Sequence, residues 1–138
     1  RNVNRICIDQ ICGEKIMSGK ILLVENNDET RDYMKILLQL SDCEVLEAAN
    51  GKEAVNLAQE NPPDLILMDI LMPVMDGLAA AKIIRKAEES AEIPIIAVTA
   101  FSQYYQDSAI AAGCNDLIAK PIDFNEFDAV LRKYLQNE

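Results

Sequence analysis

The sequence predicts an α/β protein with a doubly wound, five-stranded parallel sheet in the strand order 2-1-3-4-5 and helices on both faces. Short apolar runs alternate with amphipathic segments five times, which is typical of consecutive strand–helix units. The first, third and fourth runs are continuously apolar, as in strands covered on both faces, whereas the second and fifth contain polar residues, as at sheet edges. The 138 residues, half of them apolar, suffice for one such domain.

Turn and capping residues separate the first three strands from the first two helices. The Asn26-Asn27-Asp28 run supplies side chains that can cap a first helix. Asn50-Gly51 turns the chain into a second helix, and Pro62-Pro63 ends that helix. The predicted strands are Lys20–Glu25, Cys43–Ala48 and Leu65–Met68, and the first helix continues to about Ser41.

The second half of the chain is predicted to hold three helices and two strands. Gly113 suits the left-handed backbone at the end of the fourth helix, and Asp123 can cap the last helix. Few apolar residues line the fourth helix, so it is expected to be loosely held. The predicted elements are a helix from Leu78 to about Ser90, the strand Pro94–Thr99, a helix of about Gln103–Ala112, the strand Asp116–Ala119 and the last helix. The residues expected to face inward are Ala80, Ile83, Ile84 and Ala87 on the third helix, and Phe124, Phe127, Leu131 and Leu135 on the last.

Residues 1–18 do not share this pattern, so the domain is expected to comprise residues 19–138 and to follow an N-terminal extension. This extension is expected to be a segment added for expression or an upstream segment, without the apolar core of a signal peptide. An interaction arm is the alternative. The apolar residues that such an arm could pack on a partner are Val3, Ile6, Ile8 and Ile11.

Composition excludes several classes of function. The net charge of −10 disfavours direct binding to nucleic acids or to anionic membranes. No apolar run approaches the roughly 20 residues that a membrane-spanning helix requires. The chain has no His, which excludes His catalysis and His metal sites. Its four Cys show no framework spacing, so reduced thiols in a cytoplasmic protein are expected.

Polar side chains stand at the carboxyl ends of four predicted strands. They are Glu25 with Asn26, Asp69, Thr99 and Lys120. Any one of them alone is typical of an ordinary strand end, but together they lie at one edge of one parallel sheet, where ligands bind in such folds. The set supplies a carboxylate nucleophile, oxygen ligands for a hard cation, a hydroxyl group and an ammonium group, which are the groups that phosphoryl transfer requires.

Over residues 20–136 the chain resembles the receiver domain of two-component response regulators, the CheY-like family with a flavodoxin-like fold. The segments that carry the resemblance are Lys20–Glu25, Leu65–Gly77, Pro94–Ala100, Ala112-Gly113 and Lys120-Pro121. The resemblance implies that Asp69 accepts a phosphoryl group from a sensor histidine kinase or a histidine phosphotransfer protein. It also implies that the domain is not an enzyme beyond its own phosphoryl transfer and dephosphorylation.

The resemblance further implies a magnesium ion and two residues that bind the phosphoryl group. Thr99 would hydrogen-bond one phosphoryl oxygen, Lys120 would pair with another, and the Lys120–Pro121 bond is expected to be cis. The implied Mg²⁺ ligands are Glu25, Asn26, Asp69 and the backbone carbonyl of Leu71.

The resemblance also implies a switch and partner surface that includes Thr99, Phe101 and Leu117. This surface lies on the face formed by the fourth helix, the fifth strand and the last helix, and a downstream effector protein or domain would bind there. A homodimer through the same face is a further expectation. No direct contact with nucleic acid or membrane is expected.

Two positions depart from the family pattern and keep alternatives open. Asn26 stands where the family has a second carboxylate, and Leu117 stands where it usually has an aromatic residue three positions before the lysine. Asn26 leaves open a pseudo-receiver that acts through phosphorylation-independent protein contacts. A phosphatase of the haloacid-dehalogenase type is discounted, because it requires a second Asp two residues after the nucleophile and that position is Leu71.

Overall fold

A computed structural model of the protein describes residues 19–72 and 74–135. The predicted N-terminal extension, residues 1–18, lies outside the described residues. Within the described part of the chain, no helix is long and apolar enough to cross a membrane.

In residues 19–72 and 74–135, five strands alternate with five helices, as the sequence predicts. The strands are β1 (Gly19–Val24), β2 (Cys43–Ala48), β3 (Leu65–Asp69), β4 (Ile95–Thr99) and β5 (Asp116–Ala119). The helices are α1 (Asp28–Leu40), α2 (Gly51–Glu60), α3 (Gly77–Lys86), α4 (Ser102–Ala112) and α5 (Phe124–Leu135), and a short 3₁₀ turn, Glu88–Ser90, follows α3.

The strands form one sheet in the order β2-β1-β3-β4-β5, and every neighbouring pair is parallel. The predicted fold class and strand order are therefore confirmed. All residues of β3 and β4 are buried, whereas β2 and β5 contain half-buried positions. The continuously apolar runs are thus the central strands, and the interrupted runs are the edges.

The described part of the chain forms two hydrophobic cores on opposite faces of the sheet, because successive side chains of a strand point to opposite sides. Helices α1 and α5 cover one core, and helices α2, α3 and α4 cover the other. The helix residues of the first core are Met34, Leu37, Leu38, Phe127, Leu131 and Leu135. Those of the second core are Ala54, Ala58, Ala80, Ala81, Ile84, Ala109 and Ala112. The small alanines bring these helices close to the sheet.

Three expectations about the helices are wrong in detail. Helix α3 ends at Lys86 because Ala87 is extended (φ −85°, ψ 133°), and the buried Ser90 hydroxyl then donates to the Ile84 carbonyl at 2.8 Å. Ile83 is 38% exposed because the buried stripe of α3 runs through Ala80, Ala81 and Ile84 beside it. Phe124 is 49% exposed because it is the first residue of α5, and the inward stripe begins one turn later at Phe127.

Candidate functional site

The register between β1 and β3 brings Glu25 to the same end of the sheet as Asp69. Val24 pairs with Met68, so Glu25 follows β1 at the level where Asp69 ends β3. Both residues are nearly inaccessible to solvent, Glu25 at 1% and Asp69 at 5% exposure. Two buried carboxylates therefore stand side by side at the carboxyl edge of the sheet.

The next two strands bring Thr99 and Lys120 to this edge. Asp69 pairs with Val98 on β4, so Thr99 is the next residue at that level, and Thr99 itself pairs with Ala119 on β5. The Lys120 N–H then donates to the Thr99 carbonyl at 2.9 Å. The Lys120–Pro121 bond is cis, as expected. The four predicted site positions thus lie on adjacent strand ends.

Lys120 is shared between the two carboxylates. Its Nζ lies 2.9 Å from Glu25 Oε1 and 3.6 Å from Asp69 Oδ2. One ammonium group therefore faces two carboxylates, and this group of three carries one uncompensated negative charge when both acids are ionised. Because burial weakens screening by water, that imbalance favours the binding of a cation.

The pKa of Asp69 is raised by burial and by the neighbouring negative charge. Burial of the carboxylate, with the negative charge of Glu25 as the second cause, raises the pKa of Asp69 from 3.8 to about 6. Lys120 and a hydrogen bond from the Leu71 backbone N–H act in the opposite direction and lower it. An additional positive charge beside Asp69 would therefore be bound favourably and would keep this carboxylate ionised.

The loop after Asp69 is closed against two helix starts. The Gly77 N–H donates to the Ile70 carbonyl at 2.9 Å, and a Cβ atom at position 77 would lie 2.2 Å from the backbone oxygen of Asp69. Only glycine therefore allows α3 to begin so close to β3. The Met75 carbonyl accepts from the Gly51 N–H at the start of α2 at 3.0 Å. The backbone around Asp69 is consequently held on two sides.

The loop between β1 and α1 is held by Arg31. The Asn27 N–H donates to Glu25 Oε2 at 3.1 Å, and Arg31 Nη1 donates to the Glu25 carbonyl at 2.7 Å. Asn26 lies between these contacts and is exposed. Arg31 belongs to none of the motifs that predict the site, although its position in the sequence carries one signal. A cation in the first turns of a helix interacts unfavourably with the helix dipole. Arg31 at the fourth position of α1 therefore indicates a favourable contact elsewhere that compensates for this.

The oxygen groups at this edge fit Mg²⁺. Among residues 19–72 and 74–135 no group of three or more His, Cys, Asp or Glu side chains is placed to hold a metal ion, in agreement with Asn26 at the family's second acidic position. The candidate oxygen donors are the Glu25 and Asp69 carboxylates, the Asn26 amide and the Leu71 carbonyl. A set of carboxylate and carbonyl oxygens suits Mg²⁺, which keeps several water ligands.

The predicted switch residues differ in exposure. Thr99 is 1% exposed, and its Oγ1 accepts from the Phe101 N–H at 3.1 Å. Phe101 is 57% exposed at the start of α4. Leu117 is half-buried against the core that α2, α3 and α4 cover. The Thr99 hydroxyl is thus linked directly to the backbone that leads into α4.

The fold, with Glu25, Asp69, Thr99 and Lys120 together at one edge of the sheet, defines a regulatory domain of two-component signalling. The model of the response regulator receiver domain matches residues 21–132, and the chain belongs to this family. Membership favours a phosphoacceptor role in signalling over the phosphorylation-independent alternative that Asn26 leaves open. It also separates the chain from conventional enzyme families.

Individual relatives agree with this assignment. The polar-differentiation response regulator DivK of Brucella ovis is 38% identical over 120 residues, which cover 86% of this chain and 98% of DivK. The receiver domain of the sensor histidine kinase PA1611 from Pseudomonas aeruginosa, crystallised with magnesium in its active-site cleft, superposes with a TM-score of 0.81 at 35% identity, covering 87% of this chain and 99% of that one. The Saccharomyces cerevisiae Ssk1 receiver domain, solved with the histidine phosphotransfer protein Ypd1, gives a TM-score of 0.79 at 30% identity, with 88% and 91% covered.

Proposed function

We propose that this receiver domain is phosphorylated on Asp69 by a phosphohistidine of a sensor kinase or phosphotransfer protein, with Mg²⁺ bound, and that phosphorylation changes its partner binding. The observation that carries the proposal is the buried Asp69 carboxylate beside Glu25, with only Lys120 as a cationic neighbour in this group of three. A buried acid with excess negative charge around it accepts a cation readily, and an incoming phosphoryl group requires one.

Asp69 acts as the nucleophile. One carboxylate oxygen attacks the phosphorus atom of the phosphohistidine, the P–N bond breaks, and the imidazole nitrogen leaves with the bonding electron pair and takes up a proton. Glu25, Asn26, Asp69 and the Leu71 carbonyl would hold Mg²⁺, which neutralises negative charge on the phosphoryl oxygens when bound. Lys120, 3.6 Å from Asp69 Oδ2, turns from Glu25 to a phosphoryl oxygen of the product.

The phosphoryl donor docks beside Lys120. A groove of about 320 Å³ lies between the start of α1 and the segment after β5. Helix α1 continues this surface with three exposed apolar side chains, Tyr33 (51%), Ile36 (55%) and Leu40 (78%). An apolar helix face next to the acceptor suits a helical donor protein. The Ssk1 receiver domain was crystallised with a histidine phosphotransfer protein, Ypd1. The residues that line the groove are Glu29, Thr30, Tyr33, Lys120, Pro121 and Ile122.

The effector surface is the face of α4, β5 and α5, and its switch starts at Thr99. When the Thr99 hydroxyl turns to a phosphoryl oxygen, the Phe101 N–H loses the acceptor that it has at 3.1 Å. The backbone at the start of α4 must then rearrange, and the exposed Phe101 moves with it. With Leu117 in place of an aromatic ring, the change is carried by the Thr99–Phe101 segment. A downstream effector, or a second copy of the domain, binds the rearranged face.

Phosphorylation by acetyl phosphate with Mg²⁺ tests the proposed acceptor. Intact-protein mass spectrometry is expected to detect one added phosphoryl group in the wild type and none in Asp69→Asn. The matched control is Asp76→Asn in the same loop, because the Asp76 side chain accepts from the Ala79 N–H at 2.8 Å and asparagine caps equally well. Phosphorylation of Asp69→Asn, or an unmodified wild type, would contradict the proposal and favour constitutive contacts.

A further inference from the structure

Arg31 joins three parts of the structure beside the candidate metal site. Its Nη1 donates to the backbone carbonyl of Glu25 at 2.7 Å, its Nη2 to Asp28 Oδ1 at 2.7 Å and its Nε to Glu47 Oε1 at 3.2 Å. The Arg31 side chain is only 17% exposed. Arg31 therefore connects the end of β1, the start of α1 and the end of β2 with one rigid, planar group.

The contact with the Glu25 carbonyl fixes a particular peptide group. The Glu25 N–H is already held by the Ala48 carbonyl at 3.1 Å, through the pairing of β1 with β2. Arg31 fixes the other side of the residue, where the Glu25 carbonyl belongs to the peptide bond that leads to Asn26. The orientation of this peptide group sets the direction in which the Asn26 side chain leaves the backbone.

Glu47 holds the guanidinium in place. Glu47 Oε1 accepts from Arg31, and Glu47 Oε2 accepts from Lys35 Nζ at 2.8 Å. The carboxylate of β2 is thus fixed by two cations from α1. A guanidinium oriented in this way is a stable support for the loop that carries Glu25 and Asn26.

Such support matters more for an amide ligand than for a carboxylate. A carboxylate is attracted to a divalent cation by its charge and moves toward it, whereas the neutral Asn26 amide has little attraction at a distance. The amide contributes to affinity mainly when its oxygen is already placed. We propose that Arg31 is a positioning residue of the phosphoacceptor site, which orients the Glu25–Asn26 peptide so that both side chains present oxygens to the metal. This inference rests on the proposed metal-assisted function.

Positioning and simple electrostatics predict effects of opposite sign. Arg31 is a cation near a cation site, so its charge alone opposes Mg²⁺, and the neutral Arg31→Gln would bind Mg²⁺ more tightly. Arg31→Lys, which keeps the charge, would then behave as the wild type. If Arg31 acts by positioning, both variants bind Mg²⁺ more weakly, because neither side chain reproduces the planar fork that reaches Glu25, Asp28 and Glu47 together.

The test is a Mg²⁺ titration of the metal-free protein, followed by amide NMR, for the wild type, Arg31→Gln and Arg31→Lys. Loss of a residue that orients metal ligands is expected to weaken Mg²⁺ binding by roughly tenfold or more in both variants. Arg132→Gln on α5 is the control, because it removes the same charge from a half-buried pair with Asp128 on a different helix from Arg31. The metal-free spectra are expected to change chiefly at the amides of residues 25–31, with the remaining fold preserved.

Each outcome has a distinct consequence. Unchanged or tighter Mg²⁺ binding in both Arg31 variants would overturn the inference and leave the proposed function intact. A wild type without saturable Mg²⁺ binding would overturn the metal-assisted function, and the inference with it. If Arg31→Gln does not fold, the comparison of Arg31→Lys with the wild type decides, since charge alone predicts no difference between them.

Discussion

The Lys120 ammonium is hydrogen-bonded to the Glu25 carboxylate at 2.9 Å across 95 residues of sequence. Lys120 therefore forms a closer ion pair with Glu25 than with Asp69, whose Oδ2 is 3.6 Å from the ammonium nitrogen. Burial of the Asp69 carboxylate, together with the negative charge of Glu25, raises its pKa to about 6, and Lys120 offsets only part of this rise. The raised pKa of Asp69 has a measurable effect on the free energy of unfolding.

Asp69→Asn is expected to stabilise the metal-free protein near neutral pH. The folded-state pKa of Asp69, about 6, lies above its ordinary value of 3.8, so the ionised form destabilises the fold above pH 6. The penalty disappears as the pH falls through 6 toward 4, where the wild type regains stability. A shift of about two pKa units corresponds to roughly 2–3 kcal/mol at most.

Urea unfolding in EDTA at about pH 7.5 and about pH 5 measures this difference. At the higher pH, the free energy of unfolding of Asp69→Asn is expected to exceed that of the wild type. At the lower pH this difference is expected to become smaller. Asp76→Asn is the control, because Asp76 is exposed in the same loop and asparagine can cap α3 in its place; Asp69→Asn is expected to be the more stable of the two variants at the higher pH. A gain for Asp69→Asn that does not change with pH would contradict the assignment to ionisation.

Much of the fold and of the candidate site follows from local sequence patterns. The apolar runs of β3 and β4 define central strands, and in a parallel sheet all their carboxyl ends share one edge, so Asp69 and Thr99 are brought close by topology alone. The partner of Lys120 does not follow in this way, because two carboxylates lie within its reach. The Arg31–Glu25 contact depends on how α1 is rotated against the sheet, which no short-range pattern specifies.

Asn26→Asp is expected to tighten Mg²⁺ binding. At an effective dielectric constant of about 20, two unit charges about 4 Å apart interact with about 4 kcal/mol. This value is an upper limit for the gain in binding free energy, because the variant also loses the amide oxygen as a ligand. A gain of at least tenfold in affinity, measured by Mg²⁺ titration, is therefore expected. Asn27→Asp is the matched control, because it adds the same charge one residue away and still caps α1 at the Thr30 N–H. Equal affinities of Asn26→Asp and the wild type would disprove the role of position 26.

Phosphoryl analogues are expected to change the start of α4 through Thr99. On addition of beryllofluoride and Mg²⁺, amide shifts are expected both around Asp69 and in residues 100–118. In Thr99→Val, which has a similar shape but no hydroxyl, the shifts in residues 100–118 are expected to diminish strongly. Ser108→Ala removes an exposed hydroxyl from α4 and is the control. Wild-type shifts confined to the Asp69 loop would show that the switch does not start at Thr99.

The phosphorylated state is expected to be long-lived because apolar side chains flank the acceptor. Leu71 and Phe101, two residues after Asp69 and Thr99, are 46% and 57% exposed and offer no hydrogen bond to an attacking water. Hydrolysis of the acyl phosphate requires a water molecule opposite the Asp69 oxygen, and bulky apolar groups neither orient it nor leave it room. Leu71→Asn and Phe101→Glu, singly and together, are expected to accelerate dephosphorylation.

An oriented water lowers the barrier by about 1–3 kcal/mol, which corresponds to a roughly tenfold to hundredfold faster decay in the polar variants. The decay of the purified phosphoprotein after removal of the donor measures this rate. Val74→Asn is the control, because Val74 is 80% exposed in the same loop and lies outside the two flanking positions. If the wild type decays as fast as the double variant, Leu71 and Phe101 do not shield the acyl phosphate. If Val74→Asn accelerates decay equally, the effect belongs to loop polarity in general and not to the two flanking positions.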